Sequence, residues 1–220
     1  MSHPQLALPN NFFRQSIASI EQVVGTIGLN AILRRAKMDE YIAHLPPDNR
    51  DADITIADYA RLNQAIEDFF GRGSPAILRK IGQVAFENLL VQHLACLGDL
   101  QTASLTDLQK CQIALTEFAR SVEQLYSEWQ GQVQLFDASD LRYIVQHCPL
   151  CSERQSNVPV CHVNVGVLAA VVRFATQRNY RVEEMQCIAM GAPYCEFSVQ
   201  IVTALSTMPG STPMSVKTVA

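Results

Sequence analysis

Charge is scarce in this 220-residue chain. Asp, Glu, Lys and Arg together make up 17% of it, and they balance to a net −4. Such a chain offers no electrostatic footprint for nucleic acid or for an anionic membrane. No unbroken apolar run approaches the roughly 18 residues that a membrane span needs. The stretch MSHPQLALPNNFF has no basic region ahead of an apolar one. No secretory signal is therefore read, and a cytoplasmic location is expected. Signatures of catalysis are also missing. There is no Gly-x-Gly-x-x-Gly, no phosphate-binding loop, no nucleophile–base arrangement and no paired-carboxylate pattern. Glu183 and Glu184 are adjacent, and on a strand that sends them to opposite faces. Nothing marks a site for a nicotinamide or flavin that could supply hydride.

What the chain has is apolar mass and sulfur. Hydrophobic residues make up 48%, enough for one well-buried domain. Seven cysteines are present. An odd number in a reducing compartment does not read as a disulfide framework; clustered cysteines there bind metal or do redox work. Cys96 and Cys111 stand alone in helical patterns and read as small buried hydrophobes.

The first two-thirds of the chain reads as helix. Phe13, Ile17, Ile20 and Val24 mark one face, and Gly25 ends that stretch before a second short helix. Residues 45–53 form a polar, Pro-containing loop. Thr55 with Asp58 three later starts a third helix. Ser74 and Pro75 start a largely apolar one expected to reach about Leu97, in which Gly82 admits a close backbone. The stripe Leu108, Cys111, Leu115, Phe118, Val122, Leu125 and Trp129 gives a helix over about 105–129. The pattern then changes to a hairpin around residues 137–140, a buried helix over about 160–177, and a second hairpin turning at residues 191–194. The expectation is an α+β domain: a helical N-terminal two-thirds packed on a four-stranded antiparallel sheet, built from two hairpins with a buried helix between them. It would span 10–202, with an N-terminal extension at 1–9 and a flexible tail at 203–220.

The second hairpin, VEEMQCIAMGAPYCEFSV, brings Cys187 and Cys195 nearly opposite each other. Cys161 lies near the start of the buried helix, where the helix terminus favours a thiolate. Together with Glu184 these could supply three sulfurs and one oxygen to a tetrahedral metal. Spacing alone leaves buried free thiols, a disulfide and a metal all open. Glu184 and Cys187 are three apart, so on a regular strand they face opposite ways unless a bulge intervenes. The separate run HCPLC carries Cys148 and Cys151 at metal or redox spacing, with only His147 and His162 near enough to complete a site. It reads as a solvent-near thiol pair.

Pro159 and Cys161 entering a helix with Gly166, followed by Glu184, Cys187, Ala189, Gly191, Cys195 and Phe197, resemble the signature of the 4-vinyl-reductase-type small-molecule-binding domain. VVGTIGLNAILRRA and FFGRGSPAILRKIGQVAFENLL are similar to that family's helical half, so the resemblance covers about residues 10–200. The family includes a bacteriochlorophyll-biosynthesis protein and the sensor domains of aromatic-responsive bacterial regulators, and shares a fold with TRAPP tethering subunits. The resemblance implies zinc on Cys161, Glu184, Cys187 and Cys195. It also implies a small hydrophobic ligand, with a tetrapyrrole of the chlorophyll pathway as the leading candidate, in pigment supply or photosystem assembly. Candidate cavity walls are Leu115, Phe118 and Val122 from the long helix, Leu135 and Tyr143 from the first hairpin, and Val167 and Val171 from the buried helix. Non-catalytic binding is the leading reading. A vinyl reductase or its accessory subunit, and a ligand-free dimeric scaffold, are the alternatives. A homodimer, or a heterodimer with a related domain, is expected through the helical face.

Overall fold

A computed structural model describes residues 7–90, 94, 97–137 and 140–201. The expected tail at 203–220 and Cys96 lie outside the described residues, as do residues 1–6 of the expected extension. Ala7–Leu8 (β1) pairs antiparallel with Ile54–Thr55 (β2), and Leu8 is fully buried. Between them runs the helix α1, Asn10–Arg35. Its backbone leaves helical geometry at Gly25, with φ 73° and ψ 165°, where the sequence predicts a break. By length and composition α1 could cross a membrane, which a search for unbroken apolar runs does not flag. Here Phe13, Ile17, Ile20, Leu29, Ile32 and Leu33 bury its inner face in the core. Asn10 Nδ2 donates to Asn49 Oδ1 at 3.0 Å and to Asp53 Oδ2 at 2.7 Å, tying the polar loop to the start of α1.

After the single turn α2 (Glu40–Ala43), α3 runs Ile56–Phe70 behind the predicted Thr55–Asp58 capping box. The helix α4, Ser74–Ala85, begins at Ser74 with Pro75 in its first turn. It stops short of the expected Leu97: a π-turn over Phe86–Leu90 follows, and α5 is Leu97–Thr102. The long helix α6, Asp107–Leu125, is capped by Thr106 and Gln109, a reciprocal pair that periodicity alone passes over. It ends one turn before Trp129.

The sheet has the order β3-β4-β6-β5, antiparallel throughout. Its strands are β3 (Gln130–Leu135), β4 (Asp140–Gln146), β5 (Tyr180–Gln186) and β6 (Cys195–Ile201). The buried helix α7, His162–Thr176, joins the two hairpins and packs between sheet and helices. This is the α+β architecture that the order of elements predicts. The packing of α4 on α7 depends on two glycines. A Cβ on Gly82 would lie 2.1 Å from the Val163 carbonyl oxygen, and one on Gly166 would lie 2.0 Å from that of Arg79.

Candidate metal centre and apolar cavity

Three elements converge at one end of α7. Cys161 occupies the position before its first turn, and its backbone N–H donates to Glu184 Oε2 at 2.8 Å. Glu184 sits on β5 where the ladder with β6 shifts register between Glu184 and Gln186. That bulge removes the parity conflict, so Glu184 and Cys187 reach the same place. Beyond the strand, a short 3-10 turn over Ile188–Met190 follows Cys187, and Gly191 turns the chain with φ 89°. Cys195 opens β6, and its sulfur accepts from the Ile188 backbone N–H at 3.5 Å.

The HCPLC run joins the same cluster, which the sequence reading did not foresee. His147, in the left-handed region with φ 53°, turns the chain after β4 and carries Cys148 and Cys151 inward. Both are fully buried, so the expected solvent-near pair is corrected. Cys148 Sγ lies 3.6 Å from Cys161 Sγ, and Cys151 Sγ lies 3.2 Å from Cys195 Sγ. Cys161 Sγ is 3.8 Å from Cys195 Sγ and 4.0 Å from Cys187 Sγ. Two donor sets, each with its ligand atoms within 4.8 Å of one another, result: Cys148, Cys151, Cys161 and Cys195, and Cys161, Glu184, Cys187 and Cys195. The second is the set implied by the family resemblance. Neither His147 nor His162 belongs to either.

These spacings suit a tetrahedral metal. Thiolates bound at about 2.3 Å to one ion sit roughly 3.8 Å apart. The buried Glu184 Oε1 has no partner, which is the condition of a carboxylate oxygen built to meet a cation. Electrostatics agree. Burial raises the Cys148 and Cys161 thiols and the Glu184 carboxyl above their ordinary values, and the neighbouring thiols raise Cys195. Cys151 is held low by hydrogen bonds from Cys148 and the other sulfurs. Without a cation, one thiolate is solvated by the rest, which keep their protons. A divalent cation would replace those protons.

Beside the cluster lies an almost wholly apolar cavity of about 70 Å³. Phe12, Ser16 and Ser19 of α1 and Tyr59 of α3 close one side; Phe118, Val122 and Leu125 of α6, with Trp129, close another; Val163, Asn164 and Val167 of α7 and the pair Pro149–Leu150 form the floor. Of the predicted walls, Phe118, Val122 and Val167 line it. Leu115, Tyr143 and Val171 are fully buried in the core but do not line this cavity, and Tyr143 Oη instead accepts from Trp129 Nε1 at 3.3 Å. Leu135 is a correction. It ends an edge strand and is 56% exposed, because its side of β3 faces away from the helices. The contribution of α1 and α3 went unread, since their apolar faces look the same whether they meet core or cavity. Larger concavities of about 550 and 510 Å³ run outside α4 and α7, but charged residues such as Lys80, Glu87 and Arg173 in one and Arg79 and Glu183 in the other line them.

Over most of its length the chain is similar in fold to H-NOX structures. One, from a study of heme distortion in the H-NOX family, matches with a TM-score of 0.59 at 9% identity, covering 93% of this chain and 100% of that one. The H-NOX protein from S. oneidensis in its Fe(II)NO ligation state gives 0.58 at 13%, covering 88% and 98%. An Fe(II) unliganded H-NOX mutant from K. algicida gives 0.60 at 11%, covering 90% and 98%. At these identities the likeness is one of fold alone. Two uncharacterized proteins of Methanocaldococcus jannaschii are 30% identical over 69 residues and 28% identical over 72. These matches take in 30% and 33% of this chain and only 30% and 40% of those relatives. Residues 141–201, from β4 through the thiol turn and α7 to β6, match the family model of the 4-vinyl-reductase domain, so the part of the chain that carries the thiol cluster belongs to the 4-vinyl-reductase-type family.

Proposed function

We propose that this protein is a non-catalytic binding module for a small hydrophobic molecule, held in the cavity between α1, α6 and α7, with a structural zinc in the thiol cluster. One observation carries the reading: the cavity is nearly all apolar, and its serine hydroxyls are already used, Ser16 and Ser19 donating to the Phe12 and Gln15 carbonyls at 3.0 and 2.9 Å. Such a lining favours an apolar guest and offers no charged group for a polar substrate. All four donors in either set come from the protein, which leaves no open position for chemistry on a bound zinc. When bound, zinc would tie Cys161 at the start of α7 to the second hairpin and fix the spacing of helix and sheet.

A tetrapyrrole of the chlorophyll pathway, in pigment supply or photosystem assembly, is the finer form of this reading. It is supported by the family resemblance and by a fold like that of proteins titled for their heme. The cavity volume argues that such a guest enters only after widening, since ligand pockets usually measure about 300–1,000 Å³. The cavity lining holds no histidine among the described residues, so a guest would be held by packing rather than by an imidazole–iron bond. The reading includes a cytoplasmic dimer formed through the helical face, and Ile27 on α1, 89% exposed, supplies an apolar contact there.

Native mass spectrometry of the purified chain tests the proposal, because it reports guest, metal and oligomer together. A co-purified hydrophobic molecule and one zinc per chain are expected. A chain without a guest that also fails to take up any tetrapyrrole or aromatic probe by fluorescence titration of Trp129 would refute the binding role.

A further inference from the structure

The cluster holds six donors for a metal that accepts four. Cys161 and Cys195 belong to both sets, so whichever way an ion binds, one pair is left over: Cys148 with Cys151, or Glu184 with Cys187. The two spare pairs are not equivalent in what they hold. Glu184 and Cys187 lie at the β5 bulge and its following turn, away from the cavity. Cys148 and Cys151 flank Pro149 and Leu150, and those two residues are part of the cavity floor. A second link runs through Asn164, which lines the cavity and donates from Nδ2 to Cys148 Sγ at 3.4 Å. The turn is otherwise held by short local bonds, Ser152 Oγ and Ser152 N to the Cys148 carbonyl at 2.6 and 3.0 Å, which let it move as a unit.

We infer that the five thiols and Glu184 form one metal centre with two interchangeable ligand sets, and that exchange between them opens the cavity. With the ion on Cys148, Cys151, Cys161 and Cys195, the turn is drawn onto the cluster and Pro149–Leu150 close the floor. With the ion on Cys161, Glu184, Cys187 and Cys195, the turn is released and the floor can retreat. The exchange conserves charge and protons. Two metal–sulfur bonds to Cys148 and Cys151 break and those sulfurs take up two protons; one bond to Cys187 sulfur and one to a Glu184 oxygen form, and these groups give up two. No electron is transferred. The ion is a tetrahedral, thiophilic divalent cation. This deepens the proposed function and rests on it, because the widening that a sizeable guest needs is supplied by the exchange.

The test uses Co²⁺ added to the full-length, reduced, metal-stripped protein, and N-phenyl-1-naphthylamine as the hydrophobic probe. Two variants fix the two states: Glu184→Gln/Cys187→Ser leaves the four-sulfur set, and Cys148→Ser/Cys151→Ser leaves the three-sulfur set. Each should bind one Co²⁺ per chain, with thiolate-to-cobalt absorption in a four-to-three ratio. The released variant should bind the probe about tenfold more tightly than the closed one. Cys161→Ser should weaken Co²⁺ in both backgrounds. The single variants Cys187→Ser and Cys148→Ser should move in the same directions, and they serve if a double variant does not fold. Loss of Co²⁺ from one double variant alone would overturn interchangeability. Equal probe affinity in both would overturn the coupling. If wild type binds no Co²⁺ yet takes up the probe, the metal centre falls and the binding role stands; if cobalt behaves as expected and no form takes up the probe, the binding role falls, and the opening with it, while the two ligand sets remain.

Discussion

Replacing Gly166 with alanine puts a methyl group 2.0 Å from the Arg79 carbonyl oxygen, 1.4 Å short of the 3.4 Å at which ordinary contact begins. The obstacle is backbone on a neighbouring helix, so no side-chain rotation relieves it. α7 and α4 must part, and the Val163 carbonyl must leave its seat over Gly82. Overpacking of this kind costs about 3 kcal/mol, the upper end of the usual range. The gain in helix propensity from glycine to alanine returns about 1 kcal/mol. The net loss of about 2 kcal/mol corresponds to a fall in Tm of roughly 4–8 °C for a domain of this size. Differential scanning calorimetry on metal-loaded protein measures it. Gly98→Ala in α5 is the control, because an added Cβ there meets nothing within 4 Å and should leave Tm level or slightly higher. A Gly166→Ala protein melting within about 1 °C of wild type would refute the claim that the two helices touch through these glycines.

Phe118→Trp adds bulk to a cavity of only about 70 Å³ and should weaken hydrophobic-probe binding several-fold while leaving metal content unchanged, read by fluorescence titration and elemental analysis. Unchanged affinity would mean that the guest sits elsewhere. Glu67→Gln removes the carboxylate that meets Arg154 Nη2 at 2.5 Å and leaves a guanidinium only 8% exposed; a loss of about 2 kcal/mol, discounted for partial exposure, is expected in urea unfolding. Stripping the metal with a chelator under reducing conditions should lower Tm, because metal binding is folding free energy in a structural site, and Cys161→Ser should show the same lowered Tm without chelator. An identical Tm with and without chelator would speak against a structural ion.

Much of the scaffold is written locally. The stripe of α6, the Thr55–Asp58 cap, the helix start at Ser74–Pro75 and the break at Gly25 depend on neighbours within a turn, and the sequence determines them. The same holds for the two hairpins. Gly82 announced a close approach, but only packing names Val163 as what approaches. The set Cys161, Glu184, Cys187 and Cys195 was legible as a motif, subject to a parity conflict that the β5 bulge removes. Tertiary structure decided the rest. Cys148 and Cys151 looked like a separate, solvent-near pair because nothing local records that the turn after β4 folds under the start of α7. Phe12, Ser19 and Tyr59 wall the cavity while Leu135 points away, because a helix or strand face is apolar in the same way whether it meets a neighbour, a void or solvent at an edge. Periodicity tells which face is buried; only the placing of whole elements, through contacts between residues far apart in the chain, determines against what.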